Sequence, residues 1–120
     1  MKGKPFYRRL RFAWEGWRAA FQNEASFRTE VFAAVGAIAV TTWLNPPALW
    51  LALVIVMIAL VLAAELFNTA LEHALDGLHP EQAPFVRLAK DCAAASVMVL
   101  GSCSVIVFLL MLVEVWDGRG

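Results

Sequence analysis

Two long stretches of this chain carry no charge at all, residues 31–64 and residues 92–113. Each exceeds the roughly 20 apolar residues a helix needs to cross a hydrocarbon core of about 30 Å. As one helix, the first stretch would be about 51 Å long at 1.5 Å per residue. It must therefore be interrupted, and Asn45-Pro46-Pro47 marks the place. Proline removes a backbone donor and its ring opposes the preceding helical turn. The pattern predicts three spans, at about 26–44, 48–66 and 91–115. Composition agrees: 61% of the residues are apolar and only 17% charged, against about 45–50% and 25% in soluble domains. A soluble chain of 120 residues with this make-up could not cover itself with polar surface. Nor is there room for a large soluble catalytic domain, so residues 1–120 are expected to form a single membrane-embedded unit.

Ten Lys and Arg balance ten Asp and Glu, but the zero is an average over an uneven chain. Seven of the ten bases precede residue 29: Lys2, Lys4, Arg8, Arg9, Arg11, Arg18 and Arg28. Glu65, Glu72, Asp76, Glu81, Arg87, Lys90 and Asp91 lie between the apolar blocks, and Glu114, Asp117 and Arg119 follow the last one. The balance gives no reason to expect a nucleic-acid partner. The Asn45–Ala48 turn has no base. The positive-inside rule therefore predicts a cytoplasmic N-terminus and 73–90 hinge, with the 45–48 turn and the C-terminus outside. The first apolar run begins after a long basic stretch and is not followed by a small-residue cleavage site, so no cleavable signal peptide is expected. Cys92 and Cys103, eleven residues apart on one helix, would be about 16 Å apart and cannot bond to each other. They are expected to be apolar packing residues.

Residues of about 5–24 form a separate element. At 100° per residue, Phe6, Leu10, Ala13, Trp17, Ala20 and Phe21 share one face, while Arg8, Arg11, Glu15, Arg18 and Gln22 share the other. This pattern predicts an amphipathic helix lying in the membrane surface, aromatic toward lipid and basic toward water.

The acids carry the chemistry. Glu65, Asn68, Glu72 and Asp76 are spaced +3, +7 and +11, which puts them on one helix face within about 80°. Stacked carboxylates repel and lower helix stability, so a structural reason for the stripe is hard to find, least of all for Glu65 at the end of an apolar span. Glu24 returns to the apolar side of the surface helix if that helix continues past Asn23, and an acid there needs a partner or a cation. Lys90 and Asp91 open the third span on the same side; alone they also suit a snorkelling anchor and a helix cap. Carboxylates at this depth suit a hard divalent ion that also binds phosphate oxygens. An acid at the apolar boundary suits a general base. Together these features describe phosphoryl transfer to a lipid hydroxyl. The chain lacks both the G-x-x-x-x-G-K-[ST] phosphate loop and the protein-kinase signatures. An ion channel or transporter would need its acids near mid-bilayer, whereas these acids gather at one edge. A bare scaffold leaves Glu24, Glu65 and Glu72 unexplained.

Three motifs carry a resemblance: Asn23-Glu24-Ala25-x-Phe27-Arg28-x-Glu30, then Glu65-Leu66-x-Asn68-Thr69-Ala70-x-Glu72-x-x-x-Asp76, then Ala89-Lys90-Asp91-x-Ala93-Ala94. With them, from about Phe12 to the third span, the chain resembles the small bacterial membrane diacylglycerol kinase family, which includes undecaprenol kinases. The resemblance implies an all-α membrane protein: a homotrimer of three-span subunits, each with a surface helix, in the bacterial inner membrane. It implies active sites between subunits at the cytosolic face, using ATP and Mg2+ to phosphorylate diacylglycerol to phosphatidic acid. Within it, Glu65 matches the general base and Glu24 and Glu72 the magnesium ligands. Phe12, Glu24, Glu72, Glu81, Lys90 and Asp91 match ATP contacts. Arg28, Glu30, Trp43, Glu65, Asn68 and Ala94 match contacts to the lipid. Phe12 stands where the Gram-negative branch often has Tyr, and Glu81-Gln82-Ala83 where it usually reads Glu-Tyr-His. Phe12-Ala13-x-x-Gly16 also occurs in undecaprenol kinases, so undecaprenol is the alternative acceptor.

Overall fold

The computed structural model describes Gly3 and residues 5–119, apart from the Arg119 side chain. Lys2 and Lys4, two of the N-terminal bases, lie outside the described residues. The described residues form four helices and no strand: α1 (Phe6–Asn23), α2 (Ala25–Leu44), α3 (Ala48–Leu78) and α4 (Pro84–Arg119). The last three are long and apolar enough to cross a membrane.

Each boundary has a local cause. Pro5 precedes α1, and its carbonyl accepts from the Arg8 and Arg9 amides. Between α1 and α2 stands a single non-helical residue, Glu24, with φ −113° and ψ 108°. Glu24 therefore sits at an elbow, and the helical angle that would carry it round to the apolar face of α1 does not apply. Helix α2 ends at Asn45, in the left-handed region at φ 52° and ψ 55°. Asn tolerates this conformation better than any residue but glycine. Its amide bonds to Thr41 O and Thr42 O, which closes the last turn. Pro46-Pro47 then forbids continuation, and α3 starts at Ala48. Helix α3 stops at His79, just before Pro80, and α4 opens on Pro84, whose missing N–H costs nothing at a first helical position.

Helices α3 and α4, of 31 and 36 residues, extend about 46 and 54 Å. Both outreach a hydrocarbon core of about 30 Å. The charged residues 72–91 lie on the overhanging ends and on the 79–83 connection between them. Helix α4 packs chiefly on α3, and α2 packs beside α3. The buried apolar side chains are few: Ala20, Phe27, Val54, Ala64, Val86 and Met111. Most other large apolar side chains face outward, as expected of helices whose surroundings are lipid or further helices. Helix α1 is held by aromatic contacts. The Trp17 ring meets Phe27 edge-on at 4.9 Å, and Phe21 meets Phe32 at 6.0 Å. The inner end of the α1 apolar stripe thus packs on α2, while Phe6 and Leu10 at its outer end remain exposed.

Candidate active site

The candidate acids come from α2, α3, α4, the elbow and the α3–α4 connection, in an inner and an outer layer. The inner layer sits where the apolar part of α3 ends. Glu65 is only 8% exposed. Its carboxyl lies near that of Glu30 on α2. Glu30 Oε2 is buried and has no hydrogen-bond partner. Directly below runs an apolar groove of about 360 Å³, with Glu30 at its edge and walls from Ala33, Ala37, Val61, Gly101 and Phe108. A carboxyl at the edge of an apolar groove suits a substrate with a polar head and an apolar body.

One turn outward, Asn68 Nδ2 donates to Glu72 Oε1 at 3.3 Å. Asn68 Oδ1 is buried without a partner. Glu24, on the elbow, reaches α3, where its Oε1 lies 3.6 Å from His73 Nε2. His73 directly follows Glu72. The elbow thus brings a carboxylate from outside the α3 stripe into the same layer.

The outer layer is a polar basin of about 220 Å³ formed by Asp76, His79, Glu81, Arg87, Lys90 and Asp91 around the hinge. Lys90 Nζ bonds Asp76 Oδ1 at 2.6 Å. Arg87 and Asp91, one turn apart on α4, stand 4.0 Å from each other. His79 shapes the hinge. Its ring meets Phe85 edge-on at 5.0 Å, and its Nδ1 lies 3.2 Å from Glu81 O.

Most of the residues singled out from sequence fall in or beside these layers. Three do not. Trp43 is 81% exposed at the far end of α2, thirteen residues from Glu30 and so about 20 Å away along the axis. Phe12 is exposed on α1, twelve residues before Glu24. Ala94 is exposed on α4, one turn past Asp91. Arg28 spends Nη1 on the end of α1, donating to Phe21 O and Gln22 O at 2.9 Å each.

Sequence reasoning passed over three residues: His73, His79 and Arg87. The signal for His73 was its place beside Glu72, one step around the helix toward the surface-helix side. Nothing in the linear pattern singles out His79, whose contacts depend on the path of the hinge. Among the described residues, no group of three or more His, Cys, Asp or Glu side chains gathers closely enough to cage a metal by itself. Two carboxylates, Glu24 and Glu72, with the buried Asn68 Oδ1 near Glu72, fit an ion that completes its shell from substrate phosphates and water, as magnesium does.

A three-span helical membrane protein with a carboxyl site at one edge is a narrow class, and sequence comparison refines it. Residues 11–112 match the model of the prokaryotic diacylglycerol kinases. The Escherichia coli K12 diacylglycerol kinase is 34% identical over 101 residues, covering 84% of this chain and 83% of that one. The Haemophilus influenzae diacylglycerol kinase is 33% identical over 108 residues, covering 90% and 85%. The Synechocystis diacylglycerol kinase is 35% identical over 99 residues, covering 82% of this chain but 57% of its own. The chain belongs to the prokaryotic diacylglycerol kinase family.

Proposed function

We propose that this protein transfers the γ-phosphoryl group of ATP to the hydroxyl of diacylglycerol at the cytoplasmic face of the bacterial inner membrane, giving phosphatidic acid and ADP. The observation that carries this reading is Glu65: buried at the end of an apolar span, beside Glu30, which lines an apolar groove. A lipid lying along the groove has its hydroxyl at that depth. Glu65 accepts the hydroxyl proton as the oxygen attacks the γ-phosphorus, and the bond to the ADP oxygen breaks. Glu30 holds the second carboxyl against Glu65, and Asn68 fixes Glu72 through its amide. Lys90 and Asp91, with Glu81 across the basin, contact the nucleotide. Glu30 and Asn68 contact the lipid. Glu24 and Glu72 would hold Mg2+, which would neutralise phosphate charge as it develops. Phosphoryl transfer depends mainly on such positioning and charge compensation.

The family resemblance supports a homotrimer with sites between subunits. The exposed apolar faces of α2–α4 agree with helices that have further neighbours. The cytoplasmic placement of the acid edge rests on the N-terminal bases Arg8, Arg9, Arg11 and Arg18.

The test is product detection from γ-labelled ATP and a panel of lipid alcohols in mixed micelles. Labelled phosphatidic acid, with the highest kcat/KM on diacylglycerol, is expected. A higher kcat/KM on undecaprenol would reassign the acceptor. Ion flux into proteoliposomes without ATP consumption would overturn the kinase reading.

A further inference from the structure

The α1–α2 elbow is held by a contact that the chemistry above does not use. Helix α1 ends at Asn23 with no basic residue in its last turn. Its final carbonyls have no intrahelical donors and lie at the negative end of the helix dipole. Arg28, in the first turn of α2, meets that need from outside the helix. Its Nη1 donates to Phe21 O and to Gln22 O at 2.9 Å each. Bonds from a charged donor are stronger than neutral ones. Glu24 is the only residue between the helices, and it is tied at both ends: its amide donates to Ala20 O at 2.9 Å, and its carbonyl accepts from the Arg28 amide at 3.1 Å. Arg28 therefore grips the elbow twice, by backbone on the α2 side and by side chain on the α1 side. Phe27, fully buried against Trp17, forms the apolar floor beneath it. The Glu24 carboxylate projects from this clamped backbone toward His73 on α3.

We propose that Arg28 is a positioning residue: it locks the angle between α1 and α2 and so holds Glu24 where it meets the metal nucleotide. This rests on the reading of Glu24 as a ligand of that nucleotide's metal. It differs from the lipid contact that the family resemblance implies for Arg28, and the two roles have different consequences. A lipid contact acts on KM for the lipid. An elbow clamp acts on KM for Mg·ATP, and on the elbow amides in protein that holds no nucleotide.

The test is Arg28→Gln, purified in mixed micelles, with two readouts. The first is hydrogen exchange of the Glu24 and Arg28 amides without metal or nucleotide. Losing two charge-assisted bonds is expected to speed it roughly tenfold. The second is steady-state kinetics, where KM for Mg·ATP is expected to rise roughly tenfold while lipid KM stays within about twofold. Arg28→Lys keeps the cation without the planar fork and is expected to recover part of both; it carries the same readings should the Gln variant not fold. Unchanged exchange, or a rise confined to lipid KM, overturns the proposal. Glu24→Gln, run alongside, separates the two levels. If it is impaired in Mg·ATP use and Arg28→Gln is not, the positioning role alone falls. If Glu24→Gln is fully active, the ligand reading of Glu24 falls and the positioning role falls with it.

Discussion

Glu30–Glu65 and Asp76–Lys90 each bring an acid of α3 against a neighbouring helix, and they are built in opposite ways. Asp76 and Lys90 carry opposite charges, meet at 2.6 Å, and leave the Asp76 side chain 65% exposed. Such pairs contribute between about 0 and 1 kcal/mol, because water screens the attraction and two long side chains lose freedom. Glu30 and Glu65 carry the same charge type at the edge of the apolar layer. Among the described residues neither joins an ion pair. Grouping acids where water is scarce opposes folding. The outer pair is an ordinary contact that stability accounts for. The inner pair has no stabilising account, and sites that cost stability are where chemistry is found.

The strongest way to break this contrast is Glu65→Gln. It removes the proposed base and one of the two neighbouring acids together. Turnover is expected to fall by at least about 10²-fold, while the thermal midpoint in micelles holds or rises. Full turnover would remove Glu65 from the mechanism, and a clear loss of stability would make the inner pair structural. Next is Glu72→Gln, expected to lose on the order of 10²-fold in rate and to need more magnesium for half-maximal activity. An unchanged magnesium titration would contradict its metal role. Lys90→Ala probes whether the outer pair also serves the nucleotide. KM for ATP is expected to rise roughly tenfold, the value of a charge-assisted bond, with kcat less affected. The smallest effect is expected from Asp76→Asn. Its stability change should stay within about 1 kcal/mol and shrink further in high salt. A larger loss would mean that the outer pair is not the screened surface contact its exposure indicates.

The fold was legible because its main constraints are linear. Uncharged stretches of span length, a double proline and a basic surface helix are properties of consecutive residues. The membrane makes them decisive, since backbone polar groups in lipid must bond within their own helix. The face shared by Glu65, Asn68, Glu72 and Asp76 was legible for the same reason: helical periodicity fixes angle from spacing. Glu24 was noticed, but by an angle that assumed a continuous helix. Its reach to His73 comes from the break at that residue, which lets the side chain leave α1 and meet α3.

The sequence by itself therefore determined the number of membrane-spanning helices, the acid stripe along α3, and the family to which the chain belongs. Only the tertiary structure decided which acids face one another. The pairing of Glu30 with Glu65, of Glu24 with His73 and of Asp76 with Lys90 depends on how α2, α4 and the elbow are set against α3. The elbow's part of that setting is joined by Phe27 against Trp17 and by the Arg28 bonds to Phe21 O and Gln22 O. Spacing along a chain fixes directions around one helix. The separation between two helices is fixed by the side chains packed between them, and those residues are far apart in sequence.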